Sequence, residues 1–184
     1  MKRQAVLERK RIGVIMGGSS SERDVSLKSG AAVAEALAAR GHEVIRFVLG
    51  ETFGPEVLTT LTRARLDVAF LALHGRLGED GCMQGLLEIA QIPYTGSSVL
   101  GSALAMDKLK AKELFRLHNV PTPPYYTLEA KDVCDLEAIH GSFGFPVIVK
   151  PRSEGSSLGV SKAHDAHELS RAVAHALELD DVVL

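Results

Sequence analysis

Between residues 12 and 95, four short apolar runs alternate with three helix-forming stretches, and the spacers between them are only a few residues long. Residues 12–16, 43–48, 67–73 and 92–95 read as strands. Ser21 is expected to cap the first helix, with Glu22 and Asp24 in the first turn, where the dipole favours negative charge. That helix runs to about Arg40, and Gly41 stops it. Pro55 opens a second helix reaching about Ala64, and residues 82–91 form a third. Strands joined through helices are expected to lie parallel, in one sheet with helices on its faces. Ligands collect at the carboxyl ends of such strands. The Gly17-Gly18 turn and the loop from His74 to Gly81 would therefore share one edge.

The second half has a different character. A small-residue stretch at 98–106 precedes a charged helix at 107–118, which Asn119-Val-Pro-Thr-Pro-Pro124 ends. A strand at 125–128 and a polar helical segment at 132–140 are expected next. Residues 147–150 read as a buried strand, and Pro151 stops it from continuing inside a sheet. The loop from Arg152 to Gly159 carries two glycines and three serines, and residues 160–162 form the partner strand. Asp165 caps a last helix reaching about Leu179, with Glu168 three residues on in a capping-box-like pattern. Residues 182–184 begin a strand that the sequence does not continue. This half is expected to be a small α+β unit, with the boundary near residue 103.

Composition narrows the possible partners. A formal charge of −2 and 5% aromatic residues argue against a nucleic-acid surface. No apolar run approaches the length of a membrane-spanning helix. Residues 1–11 are basic but lack the apolar core of a signal peptide and read as a solvated arm. Cys82 and Cys134 have neither metal-ligand spacing nor a pairing pattern, which fits a cytoplasmic protein.

Several residues could carry chemistry. The loop after Lys150 can wrap backbone N–H groups and hydroxyls around an anion, with Lys150 supplying a fixed positive charge. It can equally be an ordinary turn, since Gly and Ser dominate turns. Glu22 could hold an ammonium group or simply complement the helix dipole. His74 could orient a substrate or bond a neighbouring carbonyl, and Glu79 and Asp80 beside it leave a metal site conceivable. Lys108 and Lys112 share one helix face, with Lys110 turned away, and suit either solvent or phosphate. Ser156 and Ser157 lack a nucleophile elbow and an assignable base, so donation to oxyanions is the more economical role.

Five segments together resemble the D-alanine–D-alanine ligases of the ATP-grasp superfamily. They are Gly17-Gly-Ser-Ser-Ser-Glu-Arg-Asp-Val-Ser26, Ala72-Leu-His-Gly-Arg-Leu-Gly-Glu-Asp-Gly81, Pro93-Tyr-Thr-Gly-Ser97, Met106-Asp-Lys108 and Val149-Lys-Pro-Arg-Ser-Glu-Gly-Ser-Ser-Leu-Gly-Val-Ser-Lys162. They fall in family order with near-family spacing. The resemblance implies an α/β fold: a Rossmann-like substrate-binding domain over 11–103, then a small α+β ATP-grasp lid domain over 104–184. It also implies an ATP-dependent ligase that joins two D-alanines through a D-alanyl phosphate for the peptidoglycan precursor. D-alanine–D-lactate or D-alanine–D-serine ligases, and a non-catalytic ligand-binding module, are the alternatives.

Carried over by position, Glu22 binds the ammonium of the first D-alanine and His74 lies beside its carboxylate. Lys108 and Lys150 contact ATP phosphates, and Glu154, Gly155, Ser156 and Ser157 belong to the loop over them. Ser156 helps order the substrate site in one polar network with Glu22. The family is commonly dimeric and uses magnesium (or manganese), whose ligands are expected in a C-terminal part beyond Leu184. The chain is accordingly expected to be the N-terminal portion of a ligase, inactive by itself.

Overall fold

The computed structural model describes residues 8–184, so most of the expected solvated arm lies outside the described residues. The chain folds as two compact units, the first ending at Ser102 and the second spanning Ala103–Leu184.

The first unit runs β1 (Arg11–Gly17), α1 (Arg23–Ala39), β2 (Glu43–Leu49), α2 (Pro55–Arg63), β3 (Val68–Leu71) and α3 (Cys82–Ile89). The three strands form a parallel sheet in the order β2-β1-β3. Register is set by Ile12, which lies opposite Val44 on one side and Val68 on the other. β1 takes the centre because both of its faces are apolar. Val14 and Met16 join a cluster with Ala34 and Ala72, against which Leu27, Val33 and Leu37 of α1 pack. Ile15 faces the other way, into a cluster with Leu61 of α2 and Met83 and Leu87 of α3. Alternation with period two thus gives β1 a helix layer on each side. α1 comes so close that a Cβ at Gly30 would sit 2.7 Å from Met16 Cβ.

Two expectations for this unit are corrected. Residues 92–95 do not form a fourth strand but a single parallel bridge between Ala69 and Tyr94. Ala69 N–H donates to the Pro93 carbonyl (2.7 Å) and Thr95 N–H to the Ala69 carbonyl (3.0 Å). Pro93 has no N–H to carry the ladder further. Ser21 is not the cap of α1; that position is Glu22, which makes no side-chain cap bond. Ser20 takes over instead, its hydroxyl accepting from Glu22 N–H (3.3 Å) and its carbonyl from Arg23 N–H (3.1 Å).

The second unit contains α4 (Val99–Met106, whose first turn lies in the first unit), α5 (Lys108–Leu117), β4 (Leu128–Glu129) and a 3-10 turn (Ala130–Asp135). α6 (Leu136–His140), β5 (Val147–Val149), β6 (Ser161–Ala163), α7 (Ala166–Leu177) and β7 (Val182–Val183) follow. β5 and β6 form the expected antiparallel hairpin. Asp165 caps α7 by accepting from Glu168 N–H at 2.8 Å. Leu169, Ala172, Val173 and Ala176 line one face of α7 and pack on Val149, Ala163 and Val183. The small-residue stretch forms the helix α4. The strand expected at 125–128 shrinks to β4, which pairs antiparallel with β7. Two prolines at 123 and 124 remove the donors that a longer ladder would need.

Inside the first unit, the Ser26 hydroxyl is fully buried. It accepts from Gly17 N–H (2.8 Å) and donates to the Ala72 carbonyl (2.6 Å), closing the ends of β1 and β3. Ser26→Ala strands both backbone groups, and unfolding in urea should show a loss of about 1–3 kcal/mol. A change below about 0.5 kcal/mol would show that the two backbone groups find other partners.

Candidate functional site

The carboxyl edge of the first sheet gathers two of the expected site residues. Gly17 and Gly18 both adopt positive φ, and a Cβ at Gly17 would sit 2.6 Å from the Leu49 carbonyl oxygen. The Arg23 guanidinium donates to the carbonyls of Gly18 (2.9 Å) and Leu49 (2.6 Å), fixing the turn that leads to Glu22. The loop after β3 comes back onto this turn. A Cβ at Gly75 would lie 3.0 Å from Ser20 Cβ and 3.6 Å from Glu22 Oε2. His74, one residue earlier, is partly exposed, and its Nδ1 is 3.9 Å from Glu79 Oε1. The expected shared edge is therefore present, with a carboxylate and an imidazole on adjoining segments.

The acids of the His74 loop have structural work. Glu79 Oε2 accepts from Gly75 N–H (2.7 Å), and Asp80 accepts from Leu77 N–H (2.8 Å) and Cys82 N–H (3.0 Å). Among the described residues, no group of three or more His, Cys, Asp or Glu could hold a metal ion. The metal reading of Glu79 and Asp80 is replaced by loop closure.

The second unit assembles the lysines and the glycine-serine loop. Asp107 caps α5 by accepting from Lys110 N–H (3.0 Å). Its two carboxylate oxygens also take the Arg152 guanidinium, with Nε at 2.9 Å from Oδ1 and the second bond from Nη2 to Oδ2. This bidentate pair holds the Asp107 carboxyl below its ordinary pKa, the bond from Arg152 being the largest cause. Lys108 N–H donates to the Arg152 carbonyl (3.0 Å), and Lys108 Nζ donates to the Glu154 carbonyl. Ser153 N–H donates to Asp180 Oδ2 at 2.7 Å. The start of the loop is thus tied to both α5 and the segment before β7.

Beyond those ties the loop coils tightly. Leu158 N–H reaches the Gly155 carbonyl (2.9 Å) and Val160 N–H the Ser157 carbonyl (3.1 Å). Ser156 and Ser157 have φ of 43° and 61°, a region that non-glycine residues seldom occupy. A glycine- and serine-rich coil of this kind can offer its remaining backbone N–H groups to an anion.

Lys150 closes β5, its N–H and carbonyl both paired with Leu184 at 2.9 Å. Burial, and then the charge of Lys150, pulls the Lys108 ammonium below its usual pKa, and the same two causes act on Lys112. Like charges this close favour an anion between them. Lys110 is set apart, bonded to Glu113 at 2.7 Å.

A cleft of about 360 Å³ adjoins these lysines, walled by Lys112, Pro123, Pro124, Tyr125, Ile148 and Lys150 among others. Lys112 bonds Thr122 Oγ1 (2.8 Å) and the Pro123 carbonyl (3.0 Å) and sits 5.0 Å from the centre of the Tyr125 ring. The cleft is a feature that sequence reasoning missed; the Pro-Thr-Pro-Pro run marked only a helix stop. The Asp107–Arg152 pair, 45 residues apart, left no local signal either.

Comparison with known proteins identifies what this arrangement is similar to. Residues 54–97 match the family described as D-ala D-ala ligase N-terminus, and residues 114–184 match D-ala D-ala ligase C-terminus. A D-alanine--D-alanine ligase from Trichlorobacter lovleyi is 49% identical over 178 residues, covering 97% of this chain and 55% of that protein. A D-alanine--D-alanine ligase structure from Bacillus anthracis superposes with TM-score 0.81 at 38% identity, over 95% of this chain and 56% of the other. A structure of that enzyme complexed with ATP gives 0.79 at 36% identity, over 95% and 57% of the two chains. The chain spans about half the length of the curated relatives it matches.

Asp107 joins a helix cap to the loop anchor, so Asp107→Ala should cost about 2 kcal/mol in chemical denaturation at pH 7. A depressed folded pKa means this contribution is complete above the unfolded carboxyl pKa of about 4 and is lost as pH falls through the folded value. The gap between wild type and variant should therefore begin to narrow below about pH 4 and go on narrowing toward the folded value. A gap that stays constant down to pH 2 would show that the Asp107 charge is not what holds the loop.

Proposed function

The chain belongs to the D-alanine–D-alanine ligase family, and from that premise we propose that it supplies the substrate edge and the phosphate-covering loop of an ATP-dependent ligase. The reaction joins two D-alanines for the peptidoglycan precursor. ATP phosphorylates the first carboxylate, the amine of the second D-alanine attacks the acyl phosphate, and phosphate leaves. Residues 11–103 act as the Rossmann-like substrate-binding domain and residues 104–184 as the ATP-grasp lid.

Each role follows from what the side chain can do. The Glu22 carboxylate, at the turn into α1, pairs with the ammonium of the first D-alanine. His74, partly exposed on the adjoining loop, donates to that substrate's carboxylate. Lys108 and Lys150 neutralise phosphate oxygens, and an anion between them offsets the Lys150 repulsion that, after burial, lowers the Lys108 pKa. The backbone of Glu154, Gly155, Ser156 and Ser157 covers the phosphates, and the Ser156 hydroxyl would donate to an oxyanion. Excluding water there protects the acyl phosphate from hydrolysis. The walls of the adjoining cleft, proline and tyrosine with Ile148, suit a planar base. Magnesium would supply charge neutralisation of the transferring phosphate. The described residues offer no cluster to hold it, and what this chain contributes is binding, orientation and shielding.

The observation that carries the reading is the crowding of lysine charge beside a loop whose two serines hold left-handed backbone. In the whole ligase carrying this chain, Lys150→Met should lower kcat/KM for ATP at least about tenfold, the scale of one lost charge-assisted contact. The urea midpoint should stay within error of wild type. Unchanged ATP kinetics would remove Lys150 from phosphate binding.

A further inference from the structure

A second cavity, of about 410 Å³, opens in the second unit between the 3-10 turn, α6 and α7. Its apolar walls are Val133, Leu136, Phe145 and Leu169, and its polar groups include Cys134, Glu137, His140 and Ser170. It shares only Leu169 with the cleft that Lys150 lines. The polar group that sets it apart is His140. This residue is 8% exposed and its ring stacks on Phe145, with centroids 4.4 Å apart. Nδ1 lies 2.8 Å from the Tyr126 hydroxyl. Nε2 is buried and meets no hydrogen-bond partner among the described residues. A buried polar atom without a partner costs about 1–3 kcal/mol, so this one marks a place where an added group would be stabilised.

The chemistry of that group can be read from the neighbours. Burial pushes the Tyr126 phenol pKa up, so the hydroxyl keeps its proton and can donate it to Nδ1. In the tautomer where Tyr126 donates to Nδ1, the ring proton sits on Nε2 and makes that atom a donor in need of an acceptor. Glu137, one turn before His140 on α6, lines the same cavity with a carboxylate. An anionic acceptor is thereby disfavoured and a group that also donates is favoured. A primary carboxamide has both parts: a carbonyl for Nε2 and an NH2 for Glu137 or Ser170. Phe145 and the three aliphatic walls suit a flat apolar body. We propose that this cavity is a second ligand site, for a small uncharged carboxamide with an aromatic or aliphatic body, anchored by His140.

The probe is benzamide, with benzoate as its anionic counterpart. Benzamide should bind with a Kd of about 1 mM, as expected for nine heavy atoms. It should shift the side-chain 15N resonance of His140 and slow iodoacetamide alkylation of Cys134 at least threefold, while alkylation of Cys82 in the first unit stays unchanged. Benzoate should bind at least fivefold more weakly. His140→Phe keeps a ring against Phe145 and should weaken benzamide at least fivefold. Should that variant not fold, Glu137→Gln at an exposed position should narrow the difference between the two probes. Benzoate binding as tightly as benzamide, or no shift at His140 and no protection of Cys134 up to 20 times the expected Kd of about 1 mM, would overturn the proposal.

Discussion

A strand that ends inside a protein leaves backbone N–H and C=O groups that must still find partners. Both units meet this requirement with side chains recruited from elsewhere in the sequence. In the first, the Ser26 hydroxyl takes Gly17 N–H and gives its own proton to the Ala72 carbonyl, joining two strand ends and a helix in one buried atom. In the second, the chain leaving β5 is held by Leu184, by the Asp107–Arg152 pair and by the Ser153 bond to Asp180. The groups proposed for chemistry sit directly after these closures. Glu22 and His74 flank the Ser26 knot in sequence, and Lys108 and Glu154 flank the Asp107–Arg152 pair.

How much of this the sequence disclosed depends on the range of the interaction. The parallel sheet was legible because alternation in β1 and the intervening helices are local patterns, and the same holds for the Asp165 cap. The separation of Lys110 from Lys108 and Lys112 followed from helical geometry alone. Pairing across distance was not legible. Residues 92–95 have strand composition, but Pro93 limits them to one bridge on Ala69. Residues 125–128 look like a strand, yet Tyr126 serves instead to contact His140. Ser21 looks like the better helix cap, and only the shape of the turn gives that work to Ser20. The wall formed by Lys112, Pro123 and Tyr125 requires knowing where α5 ends relative to β5, which no local window contains.

The polar contacts of the second unit also differ in kind from those of the first. Around Ser26 the groups are neutral and buried, and their bonds hold across the pH range in which the backbone is intact. Around Arg152 they are charged and partly exposed, so they depend on ionisation and on salt. The first unit is built as a fixed platform. The second holds its loop by contacts that pH and ionic strength can tune.

Ser156 and Ser157 give that loop a direction. Left-handed backbone costs a serine about 1 kcal/mol or more relative to its ordinary conformations, whereas glycine pays almost nothing. With two such residues in series, the untethered segment would favour other shapes by roughly thirtyfold. The coiled form is thus a cocked one, kept by the lysine bond to the Glu154 carbonyl and the aspartate bond to Ser153. Two glycines would make the same shape easier to enter and also easier to drift through. Two serines in place of two glycines thus make the coil depend on its tethers at Glu154 and Ser153.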